Sequence, residues 1–154
     1  MDTAHVFAEG NWKDCDKHAL GAAGELIAAA QCALLGYQVY RPVADDRGID
    51  LLIDLGSGRH IEVQVKAVRP PGGNYTYMPK KYFPLVPHRS VALVVFAADE
   101  AQPSLFLVPA LAWVNPSSPL ASYADEYGIS INKTWREQLA PWAFRTQLAA
   151  LSSD

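Results

Sequence analysis

The sequence predicts a mixed α+β (or mixed α/β) domain, and three observations carry that expectation. An alanine-rich stretch over 16–35 has helical period, strand-like segments follow it, and a second helical stretch lies at about 133–151. Half of the 154 residues are hydrophobic, enough to build the core of one domain spanning 1–154.

In chain order, Leu20, Ala23, Ile27, Ala30 and Leu34 recur at spacings of three and four, so a helix is expected from Asp16 to Leu35. Asp14 or Asp16 can cap its start and Gly36 its end. Strands are expected at Gln38–Val43, Ile49–Leu55 and His60–Val68, and the prolines and glycines of Arg69–Gly73 require a loop. Tyr75–Tyr82 fits either a strand or a loop. Val91–Ala97 reads as a buried strand and Leu105–Val108 as another, while Pro109–Trp113 fits a helical turn and Asn115–Pro119 a loop. The last helix is expected over Lys133–Leu151, with Pro141 opening its second half or kinking it.

Net charge is −3, but its distribution is uneven. Nine acids fall in residues 1–58 and six in 90–154, whereas residues 59–89 hold six bases and the single acid Glu62. A local basic face can serve a polyanion on an acidic protein, because phosphate contact follows local potential. A solvated basic loop explains the same count. Arg69, Lys80, Lys81 and Arg89, with Tyr75 and Tyr77 interleaved, are the candidate nucleic-acid contacts, since rings stack on bases and cations meet phosphates. Tyrosines packing on the core from an edge hairpin would give the same pattern.

No segment has the length of about 18 apolar residues that a membrane span needs. Residues 1–14 carry early acids and no apolar run, so no secretory signal and a cytoplasmic location are expected, with Cys15 and Cys32 as reduced thiols. The four histidines lack ligand spacing, and no GxSxG, Walker or GxGxxG motif occurs, which removes support for zinc, esterase, NTPase and dinucleotide chemistries.

The segment IDLLIDL-GSG-RHIEVQVK is the most informative. Strand side chains alternate, so Leu51, Ile53, Leu55, Ile61, Val63 and Val65 share one face when a three-residue Gly56-Ser57-Gly58 turn pairs Leu55 with Arg59. Asp54 then opposes His60, Leu52 opposes Glu62, and Asp50 opposes Gln64. The apolar row should face the helix, burying Leu20, Ile27 and Leu34. Asp50, Glu62, Gln64 and Lys66 should project together from the opposite face. The wet side of a two-faced sheet would show such a pattern too, but Asp50 and Lys66 lie far from the turn, behind a glycine, Gly48, that lets a ligand approach. Asp54 and His60, beside the turn, are expected in solvent.

Gly21–Lys66, with its helix glutamate, Gly-aromatic pair, GID strand and VQVK strand, resembles the PD-(D/E)XK nuclease superfamily. Holliday-junction resolvases, restriction enzymes and homing endonucleases belong to that superfamily. The resemblance implies a restriction endonuclease-like core within about 16–97, a central mixed β-sheet with flanking helices, and a C-terminal helical extension at about 133–151. It implies catalytic roles for Asp50, Gln64, Lys66 and Glu25, and Mg²⁺ or Mn²⁺ as cofactor. Asp50, Gln64 and the Val65 main-chain carbonyl would be ligands. Gln64 stands where the family pattern has an acid, like a QxK variant, and Glu62 is a candidate to compensate. DNA is the implied partner, with a homodimer or higher homo-oligomer as a further option. Glu25 lies away from the centre of the apolar stripe, so an ordinary surface glutamate remains open. A nuclease-like protein that binds nucleic acid or a partner protein without cutting is the rival reading, and an accessory subunit of a larger assembly is a third.

Overall fold

The computed structural model describes Trp12 and residues 14–44, 47–72 and 74–153. The opening segment read for a secretory signal lies largely outside these residues, as does Gly73 of the Arg69–Gly73 loop.

Helix α1 spans Lys17–Leu34, and Asp16 caps it by accepting the Ala19 N–H at 2.7 Å. It buries Leu20, Gly24, Ile27, Ala28 and Cys32 against the sheet. Leu34, expected in the core, is instead 80% exposed. The reason is close approach through small residues: a side chain at Gly24 would place its Cβ 3.2 Å from Ala67 Cβ. The buried stripe therefore follows Gly24, Ala28 and Cys32, and Leu34 rotates away from it. Ile27→Ala should cost about 2–5 kcal/mol in urea denaturation. Leu34→Ala should shift stability by less than about 0.5 kcal/mol. Equal losses at the two positions would contradict this packing. Burial also pushes the Cys32 thiol up to about 12, which keeps it a neutral core group.

The strands are β1 (Gln38–Tyr40), β2 (Leu51–Gly56), β3 (Arg59–Val68), β4 (Tyr75–Pro79), β5 (Arg89–Val95), β6 (Ser104–Pro109), β7 (Leu120–Ser122) and β8 (Glu126–Ser130). A five-stranded sheet has the order β1-β2-β3-β5-β6, in which only the β3–β5 pair is parallel. All seven residues of β5 are buried, as expected for a central strand covered on both faces.

The β2–β3 register sets Leu52 opposite Glu62 and Asp54 opposite His60, as the apolar pattern requires. The turn differs from expectation. Gly56 pairs with Arg59 across Ser57-Gly58, both with positive φ, and Leu55 is absorbed by an irregularity in the ladder. The left-handed pair suits the twist of a two-residue hairpin, and Asp54 Oδ1 accepts the Gly56 N–H at 2.8 Å.

A second sheet, of order β4-β8-β7, covers part of the face that bears Glu62, Gln64 and Lys66. That face is consequently not a simple wet side. Leu51, Ile53, Ile61, Val63 and Val65 pack under α1 and the C-terminal helix, whereas Val68, Met78, Phe83, Val91 and Leu93 belong to a second core. The expected last helix is interrupted near Pro141. It consists of α2 (Trp135–Leu139), a 3₁₀ turn at Ala140–Trp142 and α3 (Phe144–Ser152). The Arg59 guanidinium donates to the Leu151 and Ser152 carbonyls, a cation closing a helix C-terminus onto the hairpin. Among the described residues, no helix is long and apolar enough to cross a membrane.

Candidate active site

Asp50 immediately precedes β2 and is 8% exposed. Its N–H donates to the Val63 carbonyl at 2.9 Å, and its Oδ2 accepts the Val65 N–H at 2.6 Å. The carboxylate thus satisfies a β3 backbone donor where β2 has left the ladder, which fixes its position. A strand residue presents its N–H and C=O to the same side, so the Val65 carbonyl faces this gap as well.

Gln64 is also 8% exposed, and its Oε1 is buried without a hydrogen-bond partner. Its amide lies against Gly48, where an added Cβ would sit 3.3 Å from Nε2 and 3.4 Å from Oε1. Gly48 has φ +70, so both its backbone and the space in front of it call for glycine. An unsatisfied buried amide oxygen costs about 1–3 kcal/mol, and retaining one calls for a reason.

Glu25 reaches the same region. A cleft of about 220 Å³ is lined by Glu25, Arg41, Pro42 and Asp50, and Glu25 Oε2 meets Arg41 Nη2 at 3.0 Å. The helix glutamate therefore points to the cleft, not to open solvent. Arg41 carries no motif signal in the sequence, where it is one of two arginines, with Arg47, between the helix glutamate and Asp50. Lys66 is half-buried further along β3, its Nζ 5.8 Å from the centroid of the Tyr77 ring. Among the described residues, no group of three or more histidine, cysteine, aspartate and glutamate side chains converges as a metal cage.

Two of the candidate phosphate contacts are engaged with the protein itself, Arg89 in the interior and Arg69 partly buried. Arg89 is 3% exposed, forms a 3.3 Å salt bridge from Nη1 to Glu62 Oε2 and donates through Nη2 to the Tyr82 carbonyl. Burial lowers its pKa from the ordinary value, while the Glu62 and Asp50 carboxylates oppose that shift. The same salt bridge engages Glu62, the residue expected to compensate for Gln64. Arg69 donates through Nη1 to the Trp12 and Cys15 carbonyls, both at 2.6 Å, tying β3 to the segment that leads into α1. Lys80 lies over the Tyr127 ring and Lys81 over the Tyr82 ring, each 4.8 Å from the centroid. Tyr75 and Tyr77 remain at the surface. Asp54 is half-buried beside the turn, and His60 is exposed.

No protein-family model matches the chain, and no curated protein matches it. A Holliday junction resolvase, Hjc of the archaeal hyperthermophile Archaeoglobus fulgidus, is similar in structure. The TM-score is 0.51 and the identity 12%, over 84% of this chain and 95% of that one. The chain has the restriction endonuclease-like fold. A bacterial homing endonuclease, I-Ssp6803I, is similar at a TM-score of 0.49 and 15% identity, over 86% of this chain and 97% of that one. In this example of the fold the mixed sheet is helix-covered on one face, and the β2–β3 hairpin carries Asp50, Gln64 and Lys66 at its end remote from the turn.

Proposed function

We propose that the chain is a metal-dependent nuclease that hydrolyses phosphodiester bonds in DNA, centred on Asp50, Gln64 and Lys66 with Glu25 across the cleft. One observation carries this reading: a backbone-anchored carboxylate and a buried, unpartnered amide oxygen lie at the same end of one hairpin, with a glycine in front of the amide.

The donors are hard oxygens, and they fit Mg²⁺ or Mn²⁺, which take one or two carboxylates with carbonyl oxygens, water and phosphate. Asp50, Gln64 Oε1 and the Val65 carbonyl would hold the ion, with Glu25 on the opposite wall. A bound ion would supply Lewis-acid polarisation of the phosphate and acidify a water. The Lys66 ammonium, a compact charge with mobile donors, neutralises the scissile phosphate and orients the attacking water. Arg41 holds Glu25 in place. Lys80 and Lys81 are the remaining basic candidates for flanking phosphates, since Arg89 is buried against Glu62 and Arg69 donates to the Trp12 and Cys15 carbonyls.

Calorimetric titration with Mn²⁺ should show a site that a chelator empties, and cleavage of a panel of DNA structures should stop with the same chelator. Gln64→Glu should tighten Mn²⁺ binding by adding a charge to the seat. A protein that neither takes up Mn²⁺ nor cuts any DNA in the panel would defeat the proposal.

A second reading, a nuclease-fold protein that binds nucleic acid or a partner protein without cutting, draws on a specific observation. Gln64 replaces an acid and Arg89 engages Glu62, which leaves Asp50 as the carboxylate of the hairpin seat. Salt-dependent DNA binding without cleavage in either metal would favour that reading.

A further inference from the structure

The outer face of the second sheet carries chemistry that the metal seat does not use. Along β4, Met78 is fully buried in the second core, while Tyr75 and Tyr77 point outward and are 41% and 48% exposed. Their rings are stacked, with planes 22° apart and centroids separated by 6.3 Å. These tyrosines do not pack on the core, which removes the structural explanation that the sequence alone left open.

The pair is held in a built position. Tyr75 opposes Ser130 and Tyr77 opposes Gly128 in the β4–β8 ladder. A Cβ at Gly128 would lie 2.6 Å from Tyr75 Oη and 2.7 Å from Cε2. Gly128 is not among the glycines with positive φ, so its missing side chain serves the ring rather than the backbone. The Tyr75 hydroxyl donates to the Glu126 carboxylate, which fixes the ring's rotation. Desolvation and that carboxylate hold the phenol above its ordinary pKa, so it remains a donor.

A cation borders the Tyr77 ring. Lys66, from the proposed reaction centre, lies 5.8 Å from the Tyr77 centroid, and Lys81 lies over the exposed ring of Tyr82. The aromatic surface is therefore continuous with the site at Lys66. Paired bases keep their faces inside the helix stack, whereas unpaired bases can lay theirs on an aromatic side chain while cations follow the backbone.

We propose that Tyr75 and Tyr77 form a stacking platform for unpaired nucleobases, so that the preferred substrate is DNA with a single-stranded flap or overhang beside the bond to be cut. The inference rests on the nuclease reading above for the chemistry, and on the platform alone for the preference. It is tested by binding in excess chelator, where no cleavage can occur. Fluorescently labelled duplexes with a single-stranded overhang are compared with blunt duplexes of equal phosphate count at one salt concentration. The overhang should raise affinity at least about 25-fold, the product of two stacking contacts at the low end of their range. Tyr75→Ala and Tyr77→Ala should each remove about 5- to 150-fold of it, Tyr77→Phe should retain it, and blunt-duplex binding should not change. Tyr75→Ala gives up its contact over Gly128 and its bond to Glu126, so each variant is compared below its own melting temperature, where unchanged blunt-duplex binding excludes loss of fold. Equal affinity for the two duplexes, or alanine variants that bind the overhang like wild type, would overturn the platform. Overhang preference in a protein that cuts nothing with Mn²⁺ would leave the platform standing and remove the nuclease reading.

Discussion

Asp50→Asn is expected to slow DNA cleavage by at least about 10²–10³-fold, the scale of losing one charge-stabilising group in an active site. Asparagine is the informative substitution because its side-chain oxygen can still accept the Val65 N–H. Alanine would also orphan that buried donor, adding about 1–3 kcal/mol of instability to any catalytic loss. The variant should melt near the wild-type temperature and bind Mn²⁺ weakly. Lys66→Ala should lose a comparable rate while keeping its Mn²⁺ affinity, since an ammonium acts on the phosphate and not on the ion. Were Asp50→Asn to cut at the wild-type rate, the hairpin seat would not be the reaction centre.

The largest stability effect is expected at Arg89. Its guanidinium is buried over the Phe83 ring, bridges to Glu62 and caps the Tyr82 carbonyl. Arg89→Ala leaves a partly buried carboxylate and a main-chain acceptor without their cation, a change that costs about 3–5 kcal/mol. Urea denaturation is the direct measurement. The double variant Arg89→Ala/Glu62→Ala should recover part of the loss, because the stranded charge is gone. An Arg89→Ala midpoint indistinguishable from wild type would mean that the pair is energetically idle.

The parts of the fold that could be read from the sequence are those with a strong local period. Helix α1 and the β2–β3 hairpin both repeat apolar residues regularly, and a one-residue slip would have inverted Ile61, Val63 and Val65. The pairing of Leu52 with Glu62 and Asp54 with His60 therefore followed from pattern. The turn did not, because a positive φ at Ser57 carries little sequence signal beside three candidate loop residues. The second sheet escaped notice for a different reason. Strands β7 and β8 have three and five residues, bury Leu120 and Ile129 with Tyr127 packed beside them, and reach β4, some fifty residues earlier, through β8. Within the site, proximity of Asp50 to Gln64 was legible because one hairpin carries both. The inward turn of Arg89 was not, since its partner Glu62 lies on another strand, and a charge count cannot tell a buried cation from a solvated one.

The single parallel pair in the sheet has a consequence for how the molecule assembles. Joining β3 to β5 closes a loop of some twenty residues, 69–88, and β4 within that loop finds its partner β8 later still. The β2–β3 hairpin, by contrast, forms across a two-residue turn. Short loops close at lower entropic cost and faster, so Asp50 and Gln64 come together on a local unit before the long-range strands arrive. The tyrosine-bearing sheet, whose pairing spans the longest loops, is expected to dock last and to detach first. Amide exchange should therefore run faster through residues 75–79 and 126–130 than through 61–68. Opening of that sheet would uncover Lys66 while leaving the carboxylate seat on its hairpin, giving the protein a chemically intact but uncovered substate.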